Sequence, residues 1–191
     1  MTNCYEEEVK LWVIKIREGD KSAFEKLFLK FYGPLCKFAW RFVRSTHIAE
    51  ELVQDTFLEA WEANESLDPD KNIRAYLYKN VRNKALNYVK HEHIANEHNQ
   101  DIDWLNVAPI TQLHNFSEGS GFVQAAKKAI ENLPEGARHI YKLSRKDGLT
   151  YQEIAEVLDI SLKTVESQMS RALKLLRRDL SQYLSARANV L

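Results

Sequence analysis

Between Leu149 and Arg178 the chain reads LTYQEIAEVLDISLKTVESQMSRALKLLRR, and its polar residues are of types that reach phosphates and base edges. Lys163, Thr164, Glu166, Ser167, Ser170, Arg171 and Lys174 share one side of an expected helix. Cations, hydroxyls and a carboxylate on one helix face suit a major groove, where each base pair shows a distinct donor and acceptor pattern. On the other side Val165, Met169, Ala172, Leu173 and Leu176 follow the spacing of a buried stripe. The chemistry is recognition rather than bond-making. No nucleophile–base pair, phosphate loop or H-E-x-x-H is present, so no enzyme and no cofactor are expected. Cys4 and Cys36 are too few for a disulfide framework and lack metal-ligand spacing. His91, His93 and His98 cluster, but no acid or cysteine completes a convincing site, so no metal is expected either.

That face must be held by a pair of helices. Gly148 suits the left-handed residue that ends a preceding helix. Thr150 and Glu153 form a T-x-x-E capping box, and Ile154, Ala155 and Leu158 give the helix that follows an apolar side. Asp159-Ile160-Ser161 breaks the pattern, with Ser161 placed to cap the second helix. The result is a helix-turn-helix. Any helical hairpin shares its apolar spacing, but two caps, a three-residue turn and a hydrogen-bonding outer face favour duplex DNA as the partner.

The rest of the chain reads as helix too. Glu7–Arg17 is amphipathic and ended by Gly19; Asp20 caps a helix with Phe24, Leu27, Phe28 and Phe31 on one face. Gly33-Pro34 predicts a turn before a third helix, Leu35–Val43. Ser45 and Thr46 offer caps for Ile48–Glu62, and Asn72–His91 follows a polar break. Residues 92–121 lack a helical stripe and predict a linker, with Trp104 and Leu105 as docking points. Phe122–Asn132 and Ala137–Lys146 then lead into the motif across the break Leu133–Gly136. The expected fold is all-α: two small helical domains, 7–91 and 122–187, joined by a flexible linker, 92–121. No apolar stretch approaches the length needed to cross a bilayer and the N-terminus is acidic, so a cytoplasmic protein is expected.

Formal net charge is zero over 191 residues, but the charge is segregated. Residues 1–70 hold nine Lys and Arg against fourteen Asp and Glu, whereas 71–90 hold six bases and no acid. Such segregation suggests partners of opposite charge. In Ile48–Glu62 the expected buried residues are Ile48, Leu52, Phe57 and Trp61, leaving Glu50, Glu51, Gln54, Asp55, Glu59 and Glu62 outside. No base stands at i+4 to relieve that repulsion, so the face suits a basic protein surface, though a merely solvated face has the same composition. In Asn72–His91 the apolar Ile73, Leu77, Val81 and Leu86 are interleaved with Tyr76, Tyr78, Tyr88, Asn80, Asn83 and Asn87, among Arg74, Lys79, Arg82, Lys84 and Lys90. Bases attract phosphates, rings stack on exposed bases and amides bond their edges, a mix suited to separated strands.

An acidic helix, a basic-aromatic helix, a linker and a helix-turn-helix, in this order, resemble the bacterial extracytoplasmic-function (ECF) sigma factors of the sigma-70 family. The resemblance covers almost the whole chain. Ala49–Phe57 through Trp61 looks like the family's polymerase-binding helix, Ala75–Asn83 like its promoter-melting and −10-reading helix. Leu133-Pro134-Glu135, Leu149–Ala155 and Thr164-Val165-Glu166 look like the domain that reads the −35 element. The resemblance implies core RNA polymerase and promoter DNA as partners, and an anti-sigma factor, often membrane-anchored, with no membrane insertion of the chain itself. It implies polymerase docking through Glu50, Glu51, Gln54, Asp55 and Glu59. It implies −10 contacts from Arg74, Tyr76, Lys79, Asn80, Arg82, Asn83 and Asn87, with a flipped base received by Asn64, Glu65, Ser66 and Leu67. The −35 readers would be Lys163, Glu166, Ser167 and Arg171, with Thr150, Ser161, Thr164, Ser170 and Lys174 around them. Tyr76 stands where many members carry Trp, which bears on the strength of unaided melting. The alternative is a conventional helix-turn-helix regulator that acts without polymerase. A sigma-like decoy that occupies polymerase without reading DNA is a further rival.

Overall fold

The structure is a computed structural model that describes residues 2–95 and 121–188, with side chains from 7–92 and 123–181. Among the described residues every regular element is helical: α1 (Thr2–Arg17), α2 (Lys21–Val43), α3 (Thr46–Glu62), a 3-10 turn (Asn64–Ser66), α4 (Ile73–Ala95), α5 (Gly121–Glu131), α6 (Glu135–Arg145), α7 (Tyr151–Leu158) and α8 (Leu162–Ala188). They form two compact units, α1–α4 in the first, α5, α6, α8 and most of α7 in the second. No helix among the described residues is long and apolar enough to cross a membrane.

In the first unit α2 packs on α1, α3 and α4. α1 ends at a left-handed Gly19 (φ +83), whose N–H bonds the Ile16 carbonyl at 2.9 Å. Asp20 then caps α2, its carboxylate accepting from the Ser22 and Ala23 amides at 2.8 and 3.1 Å. The turn expected at Gly33-Pro34 does not form, and α2 runs through both residues. A proline inside a helix costs about 3 kcal/mol through a lost hydrogen bond and a ring clash. Leu27, Phe31, Leu35 and Phe38, spaced 4, 4 and 3, are all at most 3% exposed. Each such side chain gains roughly 1.5–3 kcal/mol on burial, so one unbroken stripe outweighs the proline.

α3 buries Ala49, Val53, Thr56, Phe57 and Ala60. Of the expected stripe only Phe57 is buried; Ile48, Leu52 and Trp61 are half-exposed. The small residues let α3 lie close to its neighbours, and the Thr56 hydroxyl is satisfied by donating to the Leu52 carbonyl at 2.8 Å. Asn72 caps α4, accepting from the Ala75 amide at 3.0 Å. α4 buries Ile73, Ala75, Leu77, Tyr78, Val81 and Ala85, while the expected Leu86 is half-buried. It continues to Ala95, so the first four residues of the expected linker are helical; Trp104 and Leu105 lie outside the described residues.

The second unit is built on α8, against which α5 and α6 pack through Ala129, Leu133, Ala137, Ala172 and Leu176. α6 begins at Glu135, two residues before the expected start, directly after Pro134. Arg138 donates to the Glu131 carbonyl at 2.6 Å, satisfying the end of α5. Lys142 on α6 is 5% exposed and reaches the Glu131 carboxylate at 3.1 Å. Burial holds its pKa below the ordinary lysine value, with the Glu131 bond working in the opposite direction.

Candidate nucleic-acid interface

The helix-turn-helix is set by local hydrogen bonds. Leu149, 2% exposed, follows a left-handed Gly148 (φ 66) and ties its amide to the Leu143 carbonyl at 3.1 Å. The capping box forms in full: the Glu153 amide donates to the Thr150 hydroxyl at 3.2 Å and the Thr150 amide to the Glu153 carboxylate at 2.7 Å. Thr150 therefore has its hydroxyl engaged in holding α7. Asp159 (φ 57) ends α7 in the left-handed region, open at moderate cost to Asp. Ser161 accepts from the Thr164 amide at 3.0 Å, and the two hydroxyls lie 2.8 Å apart. Both residues are exposed yet spend part of their bonding capacity starting α8.

Val165, Met169, Ala172 and Leu176 bury one side of α8. Leu173, expected beside them, is 37% exposed; it lies at the edge of the stripe, about 40° round the helix from Met169 and about 80° from Val165. Lys163, Ser167, Ser170 and Lys174 stand at i, i+4, i+7 and i+11, along the centre of the outward side. Glu166 flanks this row on one side, Thr164 and Arg171 on the other, and all are exposed. α8 itself runs ten residues beyond Arg178, to Ala188.

A second row lies on α4. Tyr76, Asn80, Asn83 and Asn87 follow one another at i, i+4, i+7 and i+11, with Tyr76 38% exposed and Asn80 half-buried. Lys79 is exposed beside this row and Arg82 follows on the same flank, half-buried; Arg74, also half-buried, lies on the far side of the helix, 5.8 Å from the Tyr78 ring. Tyr78, expected among the stacking rings, is 1% exposed and packs on Phe38 with ring centres 5.0 Å apart. It is a core residue because the position two beyond Tyr76 points into α2. Lys84 is turned toward α3, where it meets Glu59 at 2.6 Å.

Before α4 the chain makes a tight, self-bonded loop. The Ser66 hydroxyl donates to the Ala63 carbonyl at 2.7 Å and the Leu67 amide to the Asn64 carbonyl at 3.1 Å. Asn64 is half-exposed, and Glu65 and Ser66 are exposed. Leu67 is 6% exposed, so it anchors the loop instead of lining an open pocket. Asp70 joins the loop to α1 through an ion pair with Lys10, which holds the Asp70 carboxyl below its ordinary pKa.

On α3, Glu50, Glu51, Gln54, Asp55 and Glu59 are all exposed. The face is not without internal partners, as the sequence suggested. Glu59 pairs with Lys84, His47 stands 3.9 Å from Glu51, and Gln54 donates to the Tyr32 hydroxyl at 3.4 Å. The Lys84 contact crosses between helices, which a search at i+4 on one helix does not reveal. Leu58, which the sequence reading passed over, is 55% exposed one turn from Gln54 and Asp55. An apolar residue ringed by charges has the make-up of a protein-binding surface; its phase, opposite to Phe57 and Ala60, is the signal that marks it.

Residues 27–93, spanning most of α2 through α4, match the family profile described as Sigma-70 region 2. Residues 124–176, spanning most of α5 through α8, match that described as Sigma-70, region 4. A protein of Escherichia coli (strain K12) named ECF RNA polymerase sigma-E factor is 28% identical over 169 residues, 84% of this chain and 87% of that protein. Its namesake in Haemophilus influenzae is 27% identical over 168 residues, 84% and 88% of the two chains. Among solved structures, CnrH in complex with the cytosolic domain of CnrY is similar with a TM-score of 0.59 and 26% identity, covering 94% of this chain and 98% of that one. The sigma factor RpoE in complex with the anti-sigma factor NepR from Bartonella quintana gives 0.57 and 27%, covering 83% and 96%. With two sigma-70 regions in the family's order, and relatives matched over most of both lengths, the chain belongs to the ECF branch of the sigma-70 family.

Proposed function

We propose that this chain is the promoter-recognition subunit that core RNA polymerase binds to begin transcription, with each of its three surfaces assigned to one partner. The α3 face of Glu50, Glu51, Gln54, Asp55 and Glu59, with Leu58 at its centre, docks on polymerase. The row Tyr76, Asn80, Asn83 and Asn87, with Lys79 and Arg82 on one flank and Arg74 at the start of the helix, holds the opened −10 strand. Extruding a base costs a few kcal/mol, which contacts in the loop Asn64–Ser66 must offset. Lys163, Glu166, Ser167, Ser170, Arg171 and Lys174 read the −35 groove, while Thr150, Ser161 and Thr164 shape its approach. The protein does no bond chemistry itself; it acts in the cytoplasm, where polymerase is, and positions the polymerase active centre. The similar structures CnrH and RpoE are held by CnrY and by an anti-sigma factor, so an inhibitor of that kind is the expected third partner here.

The observation that carries this reading is the α4 row, a half-exposed tyrosine and three asparagines in line beside an acidic α3 in the same unit. A regulator that reads only duplex DNA has no use for such a row. The test is run-off transcription with the purified chain, bacterial core polymerase and a pool of fragments from the source genome. Discrete transcripts that require the chain are expected, and their upstream sequences define the promoter. No transcripts with the chain still bound to core would favour a decoy; neither transcripts nor core binding would favour a conventional regulator.

A further inference from the structure

Between Lys26 and Ala49 the sequence holds Lys26, Lys30, Lys37, Arg41 and Arg44 and no acidic residue. The acidic sum over residues 1–70 conceals this stretch. Residues 71–90, which lead into and form most of α4, are also acid-free, and α2 packs along α4, so the two stretches lie side by side. Lys37 and Arg41 stand at i and i+4 on one side of α2, and Arg44 follows as the residue that closes the helix. Arg41 lies 6.0 Å from the centre of the Phe38 ring, Phe38 5.0 Å from that of Tyr78, and Arg74 5.8 Å from Tyr78. One guanidinium from each helix thus brackets a pair of rings contributed by the same two helices. Arg44 closes α2 with its amide on the Trp40 carbonyl at 3.0 Å and its guanidinium 5.2 Å from the Trp40 ring. Burial lowers its pKa.

We propose that Lys37, Arg41 and Arg44 form a second phosphate-binding stripe, continuous with α4, that holds the backbone of promoter DNA running off the −10 helix. This rests on the reading of α4 given above. The planar fork of a guanidinium matches two phosphate oxygens and loses less freedom per hydrogen bond formed than a flexible ammonium. Residues 33–44 contain no Asn, Gln, Ser or Thr, so the stripe lacks the neutral groups that read base edges. It adds affinity without sequence preference.

The test is the salt dependence of DNA binding by the full chain carrying Lys37→Gln with Arg44→Asn. Arg41 is left in place because it covers Phe38, and Asn tolerates the left-handed backbone at Arg44 (φ 59). Two probes are used: a promoter fragment from the run-off experiment with holoenzyme, and a 20-nucleotide mixed-sequence single strand with the free chain. Each lost phosphate contact removes about 0.7–0.9 from the slope of log K against log salt, so a drop of about 1.4–1.8 is expected. Promoter choice and affinity for core polymerase should not change. An unchanged slope overturns the proposal, as does a loss of core affinity in place of a slope change, which would assign the stripe to polymerase. If the wild-type chain makes no transcripts, the functional reading fails and the single-strand slopes alone decide the stripe. Absence of salt-sensitive binding to that strand by the wild type would then overturn it too.

Discussion

Replacing Lys142 by Met should leave the second unit as stable as before or make it more stable, although the change breaks an ion pair. Lys142 is 5% exposed and its pKa is depressed, first by burial, with the Glu131 bond only partly restoring it. Desolvation of the charge therefore exceeds what its partner returns. Exchanging a buried ion pair for apolar groups of similar volume is often neutral or stabilising by about 1–4 kcal/mol. Here one partner stays, but Glu131 is 37% exposed and keeps Arg138 at 3.7 Å, so roughly 1 kcal/mol of gain is expected. Glu131→Gln has the opposite sign. It leaves the Lys142 charge buried without a carboxylate, which costs about 3–5 kcal/mol in a closed interior and about 2 kcal/mol at this partly open one. Hydrogen exchange of amides in α5, α6 and α8 isolates this unit. Glu131→Gln should speed the slowest of them about 30-fold, since tenfold corresponds to about 1.4 kcal/mol, while Lys142→Met should not. The pH dependence follows from the same depression. Below the folded pKa both states bind the proton and the full penalty of burial is present. Between that pKa and the ordinary 10.5 the unfolded state holds the proton and the folded state releases it, so stability rises with pH. The wild type should show this rise relative to Lys142→Met. If both substitutions accelerate exchange alike, the ion pair is a net stabiliser and the reasoning is wrong.

Gln54→Ala with Asp55→Ala should weaken binding to core polymerase at least tenfold with circular dichroism unchanged; undiminished affinity would move the docking surface elsewhere. Tyr78→Ala, which empties a core position, should cost about 3–5 kcal/mol by urea titration. Tyr76→Ala should leave that titration unchanged and instead slow the appearance of permanganate-reactive thymines at a promoter. In the capping box, Thr150→Ala should cost about 1 kcal/mol and Glu153→Ala about 1.5–3 kcal/mol, because a charged and buried acceptor is lost. The double substitution should cost less than the sum, a shortfall that full additivity would disprove.

Features decided by neighbours in sequence were legible in it. The Thr150–Glu153 box, the Ser45, Asp20 and Ser161 caps and the glycines that end helices need only a few residues of context, and each is found in place. Features decided by contacts across the fold were not. Gly33-Pro34 has the local chemistry of a turn, but the burial of Phe31, Leu35 and Phe38 decides its conformation. Large apolar residues drew attention on α3, yet Ala49 and Ala60 face the core because close helix approach requires small side chains. Tyr76 and Tyr78 are alike as residue types, and only the phase of α4 against Phe38 separates a surface ring from a core ring. Of the candidate site, the outward row of α8 was readable from periodicity, whereas the inward turn of Leu67 and the Glu59–Lys84 contact were not.

The acidic face of α3 and the paired basic stretches of α2 and α4 belong to one small unit of a chain whose formal net charge is zero. Copies of such a molecule have no net repulsion to keep them apart, and each carries both halves of a head-to-tail contact that need not close. At low ionic strength the free protein should self-associate, and ordinary salt, with a screening length of about 8 Å, should disperse it. A partner that covers either charged surface caps the chain of contacts at that end. Occupancy by polymerase, DNA or an inhibitor therefore also governs whether the molecule stays in solution as single copies.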